Sequence, residues 1–204
     1  FHIQSVGIVK MCGITGILNY NQAPINKEHL LYMNQAMVLR GPDDSGYYID
    51  HNFGMAMRRL SIIDLDGGQQ PIANETSTIH VVLNGEIYNY LELRTDLEKR
   101  GYHFSTQSDT EVLVHLYEEY GTNAVQYLNG MFAFAIWDAP RKRLWVVRDR
   151  LGIKPLVSFE SSHGFVFASD LNALARHPAF IKDVDMDSLL MFLTLAYIPT
   201  PRTI

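Results

Sequence analysis

Short apolar runs, broken at intervals by glycine, proline and asparagine, set the rhythm of this chain. The run at 14–18 predicts a first strand. Asn26 is placed to cap a helix whose apolar positions Leu30, Leu31, Met33, Met37 and Val38 recur at helical spacing. The breakers Gly41 and Pro42 end it. Strands over 46–49 and 54–63 follow, joined by a turn at 50–52. Arg58 and Arg59 are adjacent in the second strand, where neighbours point to opposite faces, so one of them faces inward. A loop at 66–71 leads to a β-branched strand over 79–83. That strand runs into Asn84-Gly85, and Asn-Gly between apolar runs is the strongest short-range hairpin signal.

Further on, a helix is predicted over 91–100 with Gly101 as its stop. Ser108 and Glu111 have the spacing of a capping box and open a helix over 112–120, closed by Gly121. Strands over 131–137 and 144–148 form a hairpin with Arg141-Lys142-Arg143 at its tip. Strands near 156–159 and 165–168, short helices near 170–176 and 186–195, and a proline-stiffened exit at 197–202 complete the pattern. Strands joined by hairpins make antiparallel sheets. The strand over 131–137 is apolar on both faces and needs cover on both. Two sheets packed together with helices outside meet that need. No linker is evident before about residue 176, so the expectation is one domain.

Composition narrows the function. Of 204 residues, 47% are hydrophobic and 19% charged, ordinary values for a chain that buries a sizeable core. A net charge of -5 argues against a nucleic-acid partner. No run approaches the ~18 apolar residues of a membrane span. A single cysteine cannot form an internal disulfide, so cytoplasm is the default location. Residues 1–10 lack an initiating Met, a charged start and a small-residue cleavage site, and are expected to be a tag remnant, an upstream read-through or a propeptide. The 8 histidines are scattered, with no helical metal pair and no second Cys, so no protein-held metal is expected.

The chemistry centres on Cys12. A lone thiol is mostly protonated at its ordinary pKa of ~8.5 and needs a base to act as a nucleophile. Were Met11 the initiator and then removed, Cys12 would carry a free α-amine titrating near ~8, able to take the thiol proton. Asn84 and Gly85 offer N–H groups to an oxyanion, Arg59 a bidentate partner for a carboxylate, and Glu86 and Asp109 acceptors for an ammonium. Each has a plainer reading as well: a hairpin turn, a surface arginine, a helix-start carboxylate.

In combination these residues resemble a known family. The segments Met11-Cys12-Gly13-Ile14-Thr15-Gly16, Arg40-Gly41-Pro42-Asp43, Arg59-Leu60-Ser61-Ile62-Ile63-Asp64 and Gly68-Gln69-Gln70-Pro71 carry the first half of the likeness. Asn84-Gly85-Glu86-Ile87-Tyr88-Asn89, Ser108-Asp109-Thr110-Glu111, Asn129-Gly130-Met131-Phe132-Ala133-Phe134 and the stretch from Arg148 to Leu156 carry the second. From residue 11 onward the chain is similar to the class II, N-terminal-nucleophile glutamine amidotransferase domain, specifically that of glutamine-hydrolysing asparagine synthetases. The resemblance implies a four-layer α/β/β/α sandwich of two mostly antiparallel sheets over 11–204, ending where a synthetase domain would begin. It also implies hydrolysis of L-glutamine through a Cys12 thioester.

By position, Cys12 resembles the nucleophile, Asn84 and Gly85 the oxyanion hole, and Arg59 the binder of the glutamine α-carboxylate. Leu60, Ser61, Ile62 and Ile63 line the pocket in this likeness, and Glu86 and Asp109 take the α-ammonium. No cofactor is implied for this domain. ATP and Mg are expected only in the synthetase domain, a partner in cis, with a homodimer as a candidate assembly. Leu39 and Val157 depart from the His and Tyr usual at those positions. Three other readings stay open: an amidotransferase serving a sugar-phosphate or phosphoribosyl acceptor, a latent glutamine-binding module if residues 1–10 stay attached, and a generic N-terminal amidohydrolase.

Overall fold

Nine strands and five α-helices build the protein across residues 11–60 and 68–199, the parts described by the computed structural model. Strands β1 (Gly13–Asn19), β2 (Asp44–Asp50), β3 (Phe53–Arg59), β8 (Val157–Ser161) and β9 (Gly164–Ala168) form one sheet in the order β2-β3-β1-β9-β8. Strands β4 (Ile72–Ala73), β5 (Ile79–Ile87), β6 (Gly130–Asp138) and β7 (Arg143–Arg148) form the other, in that order. Among the described residues every strand pairing is antiparallel.

Three apolar layers divide the core. Between the sheets lie Ile14, Phe53, Met55, Val82, Ala135, Trp137 and Phe167. Outside the first sheet, Leu30 and Met33 of α1 (Lys27–Gln35) and Leu174 of α4 (Leu171–Leu174) pack on Ile17, Ala56 and Val166. Outside the second, Leu97 of α2 (Tyr90–Lys99) and Leu113 and Leu116 of α3 (Asp109–Tyr120) pack on Val81, Leu83 and Phe134. The arrangement is the expected four-layer sandwich, helices against each sheet and sheet against sheet. Trp137 stacks on Phe53 at a ring separation of 4.3 Å and donates its indole N–H to Asp50 at 2.9 Å, so its one polar atom is satisfied inside the layer.

Several local expectations change. The hairpin turn at Asn84-Gly85 does not form, because β5 continues through both residues and pairs them with Ala133 and Phe132 of β6. A Cβ on Gly85 would stand 2.2 Å from the Met131 carbonyl oxygen, so glycine is needed there for close approach rather than for a turn. Strand β3 ends at Arg59, short of the expected Ile63; residues 61–67 lie outside the described residues. Helix α1 stops at Gln35, and Met37 and Val38 belong to a following turn in which N–H groups of 37 and 38 bond three residues back. The capping box is also modified. Ser108 accepts from Thr110 N–H, while Glu111 reaches further back to the N–H groups of Ser105 and Thr106, both at 2.7 Å. A short 3-10 helix, Gly121–Tyr127, and the two-residue β4 were not anticipated.

Helix α5 (Met186–Leu195) buries Ser188 and leaves Met186, Leu190 and Leu193 largely in solvent. No helix among the described residues is long and apolar enough to cross a membrane.

Candidate active site

Strand alternation brings the candidate residues to one end of the space between the sheets. Ile14 of β1 belongs to the inter-sheet layer, and Cys12, two residues earlier, packs against its margin. Val82 of β5 belongs to the same layer, so Asn84 and Glu86 share its face, while Leu83 and Ile87 turn to the helices. The two central strands therefore aim Cys12 and Asn84 into one layer from opposite sheets.

The Cys12 sulfur is tied to the strand beside it. Leu60 N–H donates to Sγ at 3.3 Å, and the Leu60 carbonyl oxygen lies 3.6 Å from it. Burial raises the thiol pKa above its ordinary value. The Leu60 N–H and the nearby positive charges of Arg59 and Lys154 pull it back in part, and Asp109 pushes it up. Arg40 fixes the neighbouring backbone, with Nε and Nη2 each 3.3 Å from the Cys12 carbonyl oxygen. Its guanidinium is itself depressed by burial, an effect opposed by Asp170. Met11 N–H donates to the Arg40 carbonyl at 2.9 Å, so this backbone is held on both sides of the Met11-Cys12 bond.

A cavity opens beside the thiol. Cys12, Arg59 and Leu60 line it together with Gly85, Glu86, Ser108 and Asp109. Arg59 is 5% exposed and is the inward-facing member of the arginine pair. Asp109 opens α3 beside the cap Ser108 and accepts the Ile87 N–H through Oδ2 at 2.9 Å. Burial raises its pKa, the Ile87 hydrogen bond opposes that, and Glu86 adds to it. Among the described residues, one cation and two carboxylates thus border the cavity that the thiol enters. A separate cavity of about 290 Å³ includes Val125, Phe132, Arg148 and Leu151, but none of the candidate catalytic residues.

The structure brings Cys12, Arg59, Leu60, Gly85, Glu86 and Asp109 together at this cavity and places Asn84 in the adjoining buried layer. Ser61, Ile62 and Ile63 lie outside the described residues. Sequence reasoning passed over Gln70, although it stands in one of the motifs. Its Oε1 accepts Leu83 N–H at 2.6 Å and its Nε2 donates to Thr110 at 3.1 Å, fastening β5 to the start of α3 in the lining of the cavity itself. Lys154, only 9% exposed, stands in the Arg148–Leu156 motif but was given no role there, and Ser169, 2% exposed, escaped notice because no local pattern marks it. Among the described residues one group could hold a cation: Glu75, His115 and Glu118 bring ligand atoms within 4.8 Å of one another. Two of the three already pair, His115 Nδ1 lying 2.9 Å from Glu118, and Asn74 donates to the same carboxylate at 2.8 Å, while Glu75 accepts the His103 N–H and His115 Nε2 is buried with no hydrogen-bond partner.

The profile of the glutamine amidotransferase domain family matches residues 11–204, and the chain belongs to that family. Among relatives, asparagine synthetase [glutamine-hydrolyzing] 2 of Bacillus subtilis is 50% identical over 172 residues, which are 82% of this chain and 23% of that protein. Asparagine synthetase B [glutamine-hydrolyzing] of Escherichia coli is 38% identical over 182 residues, 88% of this chain and 33% of that protein. The chain therefore spans a third or less of the length of these two relatives. In fold it is similar to a glutamine phosphoribosylpyrophosphate amidotransferase from B. subtilis, with a TM-score of 0.67 at 21% identity over 80% of this chain and 43% of that one.

Proposed function

We propose that this domain hydrolyses L-glutamine to glutamate and ammonia through a thioester on Cys12. The observation that carries the reading is the placement of Cys12 at a cavity lined also by buried Arg59, by Asp109 and by Glu86. An amino acid held by its α-carboxylate on Arg59 and its α-ammonium on Asp109 and Glu86 would extend its side chain toward the thiol. In the active form Cys12 is N-terminal and its α-amine takes the thiol proton. Sulfur attacks the carboxamide carbon, and the oxyanion is met by N–H groups of Asn84 and Gly85. The α-ammonium returns the proton to nitrogen as the C–N bond breaks and ammonia leaves. Water then cleaves the thioester, releasing glutamate and the thiol. The residues named supply every proton and electron pair, so the step calls on no metal or cofactor.

In the complete protein the ammonia would serve ATP- and Mg-dependent conversion of aspartate to asparagine by a synthetase domain in cis. The identity to glutamine-hydrolysing asparagine synthetases supports that acceptor. A second reading applies while residues 1–11 stay attached. Cys12 then has an amide nitrogen and no basic amine, and burial holds its thiol protonated, which describes a latent domain.

The test compares ammonia release by the full chain with release by a chain whose first residue, confirmed by intact mass, is Cys12. The reading requires activity only in the second. Full activity with the preface retained would defeat the α-amine as base, and inactivity of both would defeat the glutaminase.

A further inference from the structure

Ser169 follows β9 and meets the candidate site from behind. Its N–H donates to the Ile14 carbonyl at 2.8 Å, and its Oγ accepts the Ile14 N–H at 3.0 Å. On the other side Asn84 Nδ2 lies 3.4 Å from the same Oγ, while Asn84 Oδ1 is buried with no hydrogen-bond partner. Leaving a buried carbonyl oxygen unpaired is costly, because it has given up water without gaining a protein donor. An oxygen facing a developing oxyanion would also repel the charge it is meant to stabilise.

A half-turn of the carboxamide, which merely exchanges its oxygen and nitrogen, pairs the oxygen and removes the repulsion; the buried group then left for the oxyanion to pair is an N–H. Oδ1 then accepts the Ser169 hydroxyl proton, and Nδ2 occupies the vacated position with an N–H free to donate. We infer that Ser169 is a positioning residue that holds the Asn84 carboxamide in this turned orientation, so that an N–H rather than the oxygen faces the oxyanion. The hydroxyl suits the task because it accepts from Ile14 N–H and donates to Asn84 at once. It thereby links the strand carrying the nucleophile to the strand carrying the donor. This inference rests on the glutaminase reading above.

The experiment is a double-mutant cycle on the chain with Cys12 N-terminal. N84A should lower kcat by ~10²–10³, the loss typical of one oxyanion-hole donor. S169A should lower kcat about 10-fold or more with KM for glutamine unchanged, and should add nothing in the N84A background. L-Glutamate γ-semialdehyde is the second readout. Cys12 adds its S–H across the aldehyde, leaving an oxygen where the oxyanion would sit. Its affinity should fall with kcat in S169A, while affinity for glutamate stays constant. If S169A does not fold, S169C fills the same space with a poorer donor and should show the same split.

Effects of N84A and S169A that multiply would overturn the inference, since they would place Ser169's role in anchoring Ile14 alone. Equal loss of aldehyde and glutamate affinity would do the same. An N84A chain of undiminished kcat would overturn instead the oxyanion reading on which it stands.

Discussion

The backbone N–H of Leu60 points at the sulfur of Cys12 from 3.3 Å, across 48 residues of chain. That contact favours a thiolate, yet burial outweighs it and the thiol titrates above its ordinary range. In the chain with residues 1–11 attached, the midpoint of iodoacetamide alkylation should lie above the ~8.5 of a free thiol. Because the folded pKa is raised, this group's contribution to stability is fully present below the unfolded value and is lost as pH rises through the folded one. Denaturation midpoints measured from pH 8 upward should decline over that window, and C12S should flatten the decline. Lys154→Met, which removes one of the charges that lower the thiol pKa, should move the alkylation midpoint further up.

Asp109 titrates above its ordinary range as well, chiefly through burial. Below the break set by the α-amine near ~8, kcat/KM for glutamine should steepen a second time at a pH above the ~3.9 of an unperturbed aspartate, since a protonated Asp109 cannot hold the substrate ammonium. D109N should raise KM by about 10–100-fold, the loss of one hydrogen bond to a charged group, with a smaller change in kcat. An unchanged KM would remove Asp109 from the ammonium subsite.

Gly85→Ala forces a methyl group against the Met131 carbonyl. A destabilisation of about 1–3 kcal/mol is expected, with loss of glutaminase activity, checked by urea denaturation and ammonia release. Retention of both would mean that β5 and β6 can separate without harm.

Gln70→Ala strips the buried Leu83 N–H of its acceptor and Thr110 of its donor. A cost of about 1–3 kcal/mol should follow for the unpaired N–H. Activity per folded molecule should also drop, because the same side chain joins β5 to the start of α3, where Asp109 stands.

Much of this architecture was legible before any coordinates. The helix caps at Asn26 and Ser108, the inward arginine of the 58–59 pair and the doubly apolar strand at the centre of one sheet all follow from local chemistry. The failure at Asn84-Gly85 is instructive. Asn-Gly signals a hairpin because both residues tolerate turn geometry, but β6 offers a partner for β5 well past residue 83, and continued pairing prevails over the local preference. Ser169 could not have been found locally. Its contact with Ile14 spans 155 residues and exists only once β9 lies beside β1. Gln70 was visible as part of a motif, yet its role depends on facing Leu83 and Thr110 together.

The alignment of Asn84 with Ala133 and Gly85 with Phe132 has a consequence for how preparations of this domain behave. Sliding β5 by one position would send Asn84 and Glu86 to the helical side and bring Leu83 to the nucleophile, while most backbone hydrogen bonds could still form. Such a molecule would look folded by circular dichroism and still be inert. Gly85 guards against that slip, because only a residue without a side chain fits beneath the Met131 oxygen. Turnover per titrated thiol then becomes a measure of folding fidelity, counting the molecules in which two strands have met in step.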